Sequence, residues 1–155
     1  MKKIGSVLVF VLLALLSGGC ATSSNVVVNA GSAQKIHSAY VVLHDGKSSD
    51  MDAHIQRELM AHNIQVKAGP EMQQPSADIV VRYSDNWRWD VTMYLRSLDI
   101  QVYDATTGTL RASGSWKNSA LHGYHGASGV VKDVIDEIFL KLGAGQNTTA
   151  QSDRP

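Results

Sequence analysis

Apolar residues recur with helical spacing in two segments of the chain. In the first segment, Met51, Ile55 and Leu59 lie four residues apart and predict a helix over residues 49–63. In the second, the spacing predicts a helix over residues 128–142 with a buried stripe of Val131, Val134, Ile135, Ile138 and Leu142. Both helices carry polar residues on their other side, so each is expected to pack one face against the rest of the protein.

The remaining pattern is typical of β-strands, either in composition or in a period of two. Strands are predicted over residues 38–44, 64–68, 77–91, 94–104 and 110–118. In the third of these strands the apolar residues occupy odd positions, and the polar run Ser84-Asp85-Asn86 predicts an interruption. The turn after Asp104 joins the last two strands into a hairpin. Ala112 and Gly114 are small on one face of the returning strand, which would let a helix approach closely.

The predicted element order is β-α-β-β-β-β-α, over a folded domain of residues 36–142. The simplest way to bury both helices is an α+β, two-layer fold, with a mostly antiparallel sheet and two helices on one face. Residues 20–35 are small and polar apart from Val26-Val27-Val28, and they predict a tether in which the valines are a candidate short strand. Residues 143–155 contain almost no apolar side chain and predict a disordered tail.

Residues 1–19 have the layout of a secretory signal peptide. Lys2 and Lys3 are followed by an apolar run over residues 4–16, then by the small residues Ser17-Gly18-Gly19. A membrane-spanning helix needs about 20 apolar residues, so this run is too short to span and is expected to be cleaved.

Cys20, the only cysteine of the chain, follows directly after these small residues. This segment resembles the signal of bacterial lipoproteins, although Ser17 stands where the usual motif has an aliphatic residue and Leu16 lies one position earlier. The resemblance implies a thioether-linked diacylglycerol on Cys20 and an acylated amine, which together form a stable membrane anchor. Ala21 replaces the Asp that commonly retains lipoproteins at the inner membrane. The resemblance therefore implies the outer membrane, with the domain facing the periplasm.

The segments ADIVVRY at residues 77–83 and LDIQVYDATTGTL at residues 98–110, followed by an amphipathic helix, carry a second resemblance. They resemble a family of small Gram-negative envelope lipoproteins that is defined by a domain of unknown function. The likeness covers residues 77–142. The chain departs from the family pattern at Arg111, where the family usually has a Trp directly after the hairpin turn. Because that family has no established catalytic residues, the resemblance implies a location and a fold rather than an activity.

Composition and charge exclude several classes of function. The 14 basic residues balance the 14 acidic ones, which argues against a protein built to bind nucleic acid. One cysteine rules out an intramolecular disulfide framework and any zinc site made of several thiolates. No Gly-x-Ser-x-Gly motif occurs in the sequence. We therefore predict no enzymatic activity and no cofactor other than the covalent lipid on Cys20.

Two groups of residues could bind a ligand. In a strand, Trp87 and Trp89 project to one face about 7 Å apart, and with Tyr94 they could form a stacking platform for a sugar ring, peptidoglycan being the obvious ligand. The alternative is that the indoles continue the phase of Ile79 and pack in the core or at a protein contact.

The second group is His122 and His125, which could chelate zinc or copper if a third ligand were supplied. The alternative is that both imidazoles are solvated in a loop.

The leading interpretation is a non-enzymatic outer-membrane lipoprotein that binds envelope proteins or gives structural support. Glycan binding through the indoles and metal binding through the histidines are the two alternatives.

Overall fold

A six-stranded sheet forms one layer of the protein. The structure, a computed structural model, describes residues 22–29, 35–43, 49–71, 76–119 and 124–152. The strands are β1 (Ser23–Val28), β2 (Ser38–Val42), β3 (Gln65–Gly69), β4 (Ile79–Trp89), β5 (Met93–Asp104) and β6 (Leu110–Lys117). Their order in the sheet is β1-β6-β5-β4-β2-β3. The pairs β1/β6, β6/β5 and β5/β4 are antiparallel, whereas β2 runs parallel to both β4 and β3.

Two helices, α1 (Ser49–Ala61) and α2 (Ala127–Ser152), form the second layer on one face of the sheet. The predicted stripes of both helices are buried against this face, and Ile55, Val131 and Val134 are fully inaccessible to solvent. Opposite them lie the inward residues of the central strands, including Ile79, Val81, Leu98 and Ile100. The predicted α+β fold, with two helices on one face of a mostly antiparallel sheet, is confirmed.

The candidate short strand at Val26-Val27-Val28 is part of a full strand of the sheet. The expected tether of residues 20–35 contains β1, which pairs with β6 along its whole length. Val26 of this strand is 4% exposed, and the Lys141 ammonium donates to its carbonyl oxygen at 2.7 Å. Because β1 lies at a sheet edge, most of its other side chains are exposed, and its polar composition resembles that of a linker. The folded domain therefore begins near Ser23 and not at residue 36.

Helix α2 is longer than predicted. It continues to Ser152, whereas the sequence predicts a disordered tail from residue 143. The hydrophobic pattern stops at Leu142, which is 3% exposed. Backbone hydrogen bonding can extend a helix past its buried stripe, and such an extension leaves no periodic signal. Residues 153–155 lie outside the described part of the chain.

Gly114 lets α2 approach β6 closely, as the small residues of this strand predicted. A Cβ atom at Gly114 would lie 2.6 Å from Cγ1 of Val134 and 3.0 Å from Cδ1 of Ile138. Both side chains are buried, and the β-branched Val134 has little rotamer freedom in a helix. The contact between α2 and the sheet therefore depends on the missing side chain.

Replacing Gly114 with Ala is expected to lower the free energy of unfolding by about 1–3 kcal/mol, because α2 must shift to relieve the overlap. Urea denaturation followed by circular dichroism measures this change. Gly129→Ala in the first turns of α2 is the matched control, since its Cβ would meet nothing within 4 Å. The control should be neutral or slightly stabilising. Equal destabilisation by both variants would contradict the packing argument.

Asp78 joins the beginnings of the parallel strands β2 and β4. Its Oδ2 accepts hydrogen bonds from the backbone N–H groups of His37 at 2.7 Å and Ser38 at 2.9 Å, while its own N–H donates to the Ser38 hydroxyl at 3.0 Å. The pairing of β2 with β4 covers only three residues of each strand, so these bonds supplement a short ladder. The N–H of His37, followed by that of Ser38, holds the pKa of the Asp78 carboxyl below its ordinary value.

Because the folded-state pKa of Asp78 is lowered, its contribution to stability is present above the ordinary Asp pKa and is lost as the pH falls through the lowered value. Asp78→Asn should therefore reduce stability at neutral pH, and its difference from the wild type should shrink in acid. Denaturant titrations at pH 7 and near pH 3 test this. The exposed Asp133→Asn is the control and should show a smaller difference at pH 7. A deficit in Asp78→Asn that is independent of pH would refute the charge argument.

Candidate functional site

The end of the β4–β5 hairpin extends beyond the neighbouring strands of the sheet. Strand β6 pairs with β5 only from Ser97 to Tyr103, and β2 pairs with β4 only from Ile79 to Val81. Within the described part of the chain, residues 87–89 and 93–95 therefore have only each other as strand partners. We call residues 87–95 the arm. It is a two-stranded ribbon that projects from one end of the sheet.

A register shift at the base of the arm decides which side chains face the helices. Asn86 pairs with Ser97, and Trp87 pairs with Leu95, so Arg96 is an additional residue on β5. Strand β4 is continuous through Ser84-Asp85-Asn86. The predicted interruption of β4 is therefore wrong, because the irregularity lies in the partner strand. Three polar residues in a row resembled a turn, but here they pair with β5 as an ordinary ladder.

Asn118 holds this bulge in place from the end of β6. Its backbone N–H donates to the Arg96 carbonyl at 2.9 Å, and its side-chain amide donates to the Leu95 carbonyl at 3.2 Å. In return, the Arg96 guanidinium donates to the carbonyls of Asn118 and Ser119 at 2.7 and 2.8 Å. Asn118 is one of only two buried polar or charged residues in the described part of the chain, at 4% exposure. The arm is therefore attached to the sheet by a specific set of hydrogen bonds.

The two indoles of the arm share one face of β4, as the sequence predicted; this is the core-side face, but their burial differs. Trp87 is half-buried against the edge of the core, and its Nε1–H donates to Asp85 Oδ2 at 2.5 Å. Trp89 is 71% exposed. The apolar face of β4 thus runs from fully buried Ile79 to an indole in solvent, because the helices do not cover the arm.

Tyr94 does not extend the predicted stacking platform. It pairs with Arg88, so by strand alternation it lies on the sheet face opposite to the indoles. Its ring instead packs edge-on against Tyr124, with centroids 6.1 Å apart. Of the three residues predicted to form a platform, Trp89 alone offers a largely open ring.

The tip of the arm is an exposed apolar cluster. Trp89 is 71% exposed, Val91 82% and Met93 52%, and Trp89 pairs directly with Met93. These are three of the eight large hydrophobic side chains that are exposed among the described residues. The sequence analysis missed Met93, which lies across the turn from the alternating run. We call these three residues the apolar tip.

The predicted histidine pair is only partly described. His122 lies outside the described residues, while His125 packs its ring edge-on against Trp116 at 5.7 Å between centroids. Within the described ranges, no three His, Cys, Asp or Glu side chains are grouped so that they could hold a metal ion.

Cys20 also lies outside the described residues, so its lipidation stays a prediction. The described chain begins at Thr22, one residue before β1. In the described part of the chain, no helix has the length and apolar content needed to cross a bilayer.

Comparison with known proteins gives a fold but no family. Neither the protein-family models nor the curated proteins contain a match. The fold is similar to that of PelC from Paraburkholderia phytofirmans, solved as a dodecamer in two crystal forms. In each, the TM-score is 0.56 and the identity 15%, over 79% of this chain and 98% or 97% of PelC. A minor lipoprotein from Acinetobacter baumannii, 13% identical over 76% of this chain and 95% of its own, gives a TM-score of 0.30, too low to indicate a shared fold.

Replacing Asn118 with Ala is expected to loosen the base of the arm, because the buried Leu95 carbonyl loses its side-chain donor. The loss in unfolding free energy should be about 1–3 kcal/mol. Amide hydrogen exchange should become faster in residues 87–95 than in the rest of β4 and β5. The exposed Asn86→Ala, one row from the bulge, serves as control and should leave exchange in the arm unchanged. Uniformly faster exchange over the whole sheet would show that Asn118 acts on global stability alone.

Proposed function

We propose that the protein is a lipid-anchored outer-membrane protein with a non-catalytic binding or structural role at the periplasmic membrane surface. The signal-like segment and the position of Cys20 directly after it support the anchor. The fold supports a binding role, because the apolar tip is exposed and the strands β1 and β3 lie at the edges of the sheet.

The position of β1 carries the proposal. Ser23 begins the strand three residues after Cys20, a stretch that spans at most about 11 Å when fully extended. Strand β1 is fixed to α2 as well as to β6, because the Ser24 hydroxyl donates to Glu137 at 3.2 Å and Lys141 donates to the Val26 carbonyl. A lipid on Cys20 would therefore hold the domain against the bilayer without a long linker.

A short anchor favours partners that lie at the membrane surface over partners that lie farther from it. A domain that must reach peptidoglycan would need a longer tether, and a glycan platform would need more than one open aromatic ring. Trp87 has its Nε1–H engaged by Asp85, and Tyr94 lies on the opposite sheet face. Envelope proteins, including further copies of this chain, are therefore the proposed partners.

The likeness to PelC supports self-association as one form of that role. PelC was solved as a dodecamer, and the shared fold covers nearly all of its chain. In the present protein, β1 and β3 are the edge strands of the sheet and could pair with other chains.

Cys20→Ala should abolish lipid attachment, and the unlipidated domain without residues 1–19 should no longer be found in the membrane fraction. Mass spectrometry of the mature N-terminus and density-gradient separation of the two membranes measure these outcomes. Ala21→Asp is the matched variant: it should leave lipidation intact and move the protein to the inner membrane. In-cell cross-linking of the lipidated protein should give discrete adducts with itself or with envelope proteins.

An unmodified Cys20 in the mature protein would refute the anchor. If the lipidated protein gave no cross-linked adduct, while peptidoglycan retained it, the proposed partner class would be wrong and the glycan alternative would replace it.

A further inference from the structure

The apolar tip and the start of β1 lie at the same end of the sheet. Ser23 pairs with Lys117, Lys117 pairs with Ser97, and Ser97 pairs with Asn86. These four residues form one row across β1, β6, β5 and β4. The chain before Ser23 leaves the row in the same direction as the arm, because β1 and β5 both run antiparallel to β6.

A fully extended chain would bring the anchor to a height above this row similar to that of the tip. Trp89 lies three residues beyond Asn86 along β4, which is about 10 Å at the rise of a strand. Cys20 lies three residues before Ser23, so it reaches at most about 11 Å in the same direction. Across the sheet, β1 and β4 are three strand spacings apart, or about 14 Å. With that segment fully extended, a membrane that holds the lipid of Cys20 would lie at the level of the tip.

We infer that the apolar tip, Trp89, Val91 and Met93, is a second membrane contact that inserts into the interface of the bilayer beside the lipid anchor. This inference rests on the proposed anchor at Cys20. Trp is enriched at membrane interfaces, where its ring is buried and its N–H stays hydrated. Val91 and Met93 add apolar area at the adjacent positions, and they are 82% and 52% exposed.

The polar residues of the turn set the depth of this contact. Asp90 and Thr92 alternate with the apolar residues, and the Asp90 N–H donates to the Thr92 carbonyl at 3.1 Å. A carboxylate at the turn disfavours entry into the hydrocarbon core but is tolerated among the headgroups. The tip therefore belongs at the boundary between headgroups and acyl chains, about 5–10 Å deep, as amphipathic surface elements do.

Fluorescence quenching of the intact, lipidated protein in vesicles tests the contact directly. The vesicles contain phosphatidylethanolamine and phosphatidylglycerol, with bromine on the acyl chains to quench nearby indoles. Trp116 is 6% exposed and Trp87 is half-buried against the core at the base of the arm, whereas Trp89 is 71% exposed, so Trp89 should supply most of the quenchable emission. Trp89→Phe should remove most of the quenching while the protein stays bound through its lipid.

Vesicle binding of the unlipidated Cys20→Ala chain, purified without residues 1–19, separates the tip from the anchor. Changing all three tip residues to Ser should lower its vesicle partitioning about tenfold or more. Met60→Ser is the matched control. Met60 is 55% exposed, close to Met93, but it lies in the last turn of α1, which leads into β3 at the opposite end of the sheet. This variant should bind vesicles as the parent does.

Mass spectrometry of Cys20 and the vesicle measurements distinguish a failure of the proposed anchor from a failure of the tip contact. If mass spectrometry shows no lipid on Cys20 but the unlipidated chain still binds vesicles through the tip, the anchor fails and the tip contact stands. Equal quenching in the wild type and Trp89→Phe, or vesicle binding unaffected by the tip substitutions, overturns the inference. The inference is also overturned if the protein sediments with peptidoglycan in a way that depends on Trp89. It is overturned as well if the tip substitutions dissociate a homo-oligomer and lipid does not quench Trp89 in that oligomer.

Discussion

The bulge at Arg96 is the constraint on which the character of the arm depends. Side chains alternate between the two faces of a strand, so a shift of one residue moves every later side chain to the other face. With Arg96 as the additional residue, Leu95 returns to the core side and is buried at 1% exposure, and Met93 lies beside Trp89. Asn118 fixes this register by binding the carbonyls of Leu95 and Arg96. The apolar tip is a consequence of that register.

A second constraint fixes the edge of the sheet where the chain would meet the membrane. Edge strands are easily displaced, yet β1 is held on one side by its ladder with β6 and from above by Glu137 and Lys141 of α2. Lys141, followed by Ser24, holds the pKa of Glu137 below its ordinary value, so this carboxylate is charged at neutral pH. The close packing of α2 on Gly114 places the helix where these contacts form. Helix α2 and the edge strand β1, at which the described chain begins, are thus joined by direct contacts.

The layers of the fold could be predicted because side chains that are buried at regular intervals give a regular spacing of apolar residues in the sequence. Met51, Ile55 and Leu59, and likewise the stripe of α2, are all buried as expected, and Gly114 marks the helix contact. Elements with little periodic pattern were predicted less fully. Strand β1 buries Val26 almost alone and was predicted only as a candidate short strand at the valines, and the pattern of α2 stops at Leu142 although the helix continues to Ser152.

The candidate site was likewise predicted only in part from the sequence. Alternation correctly placed Trp87 and Trp89 on one face, but it placed the irregularity in β4 when it lies in β5. The difference depends on Asn118, whose contacts with Leu95 and Arg96 join residues more than 20 positions apart in the chain. Local composition carries no information about such a contact. The exposure of the tip likewise depends on where the helices end relative to the arm, which the sequence does not state.

The proposed lipid anchor would make a small apolar tip sufficient as a second membrane contact. A tip of three residues would bind a membrane weakly on its own, because it offers little apolar area. If a lipid on Cys20 holds β1 within about 11 Å of the bilayer, as proposed, insertion of the tip would be an intramolecular event at high effective concentration. A weak contact is then sufficient, and its effect is on orientation more than on retention. With the two proposed contacts about 14 Å apart across the sheet, the domain would no longer pivot freely about its anchor, and its remaining surfaces would face the periplasm in a defined direction.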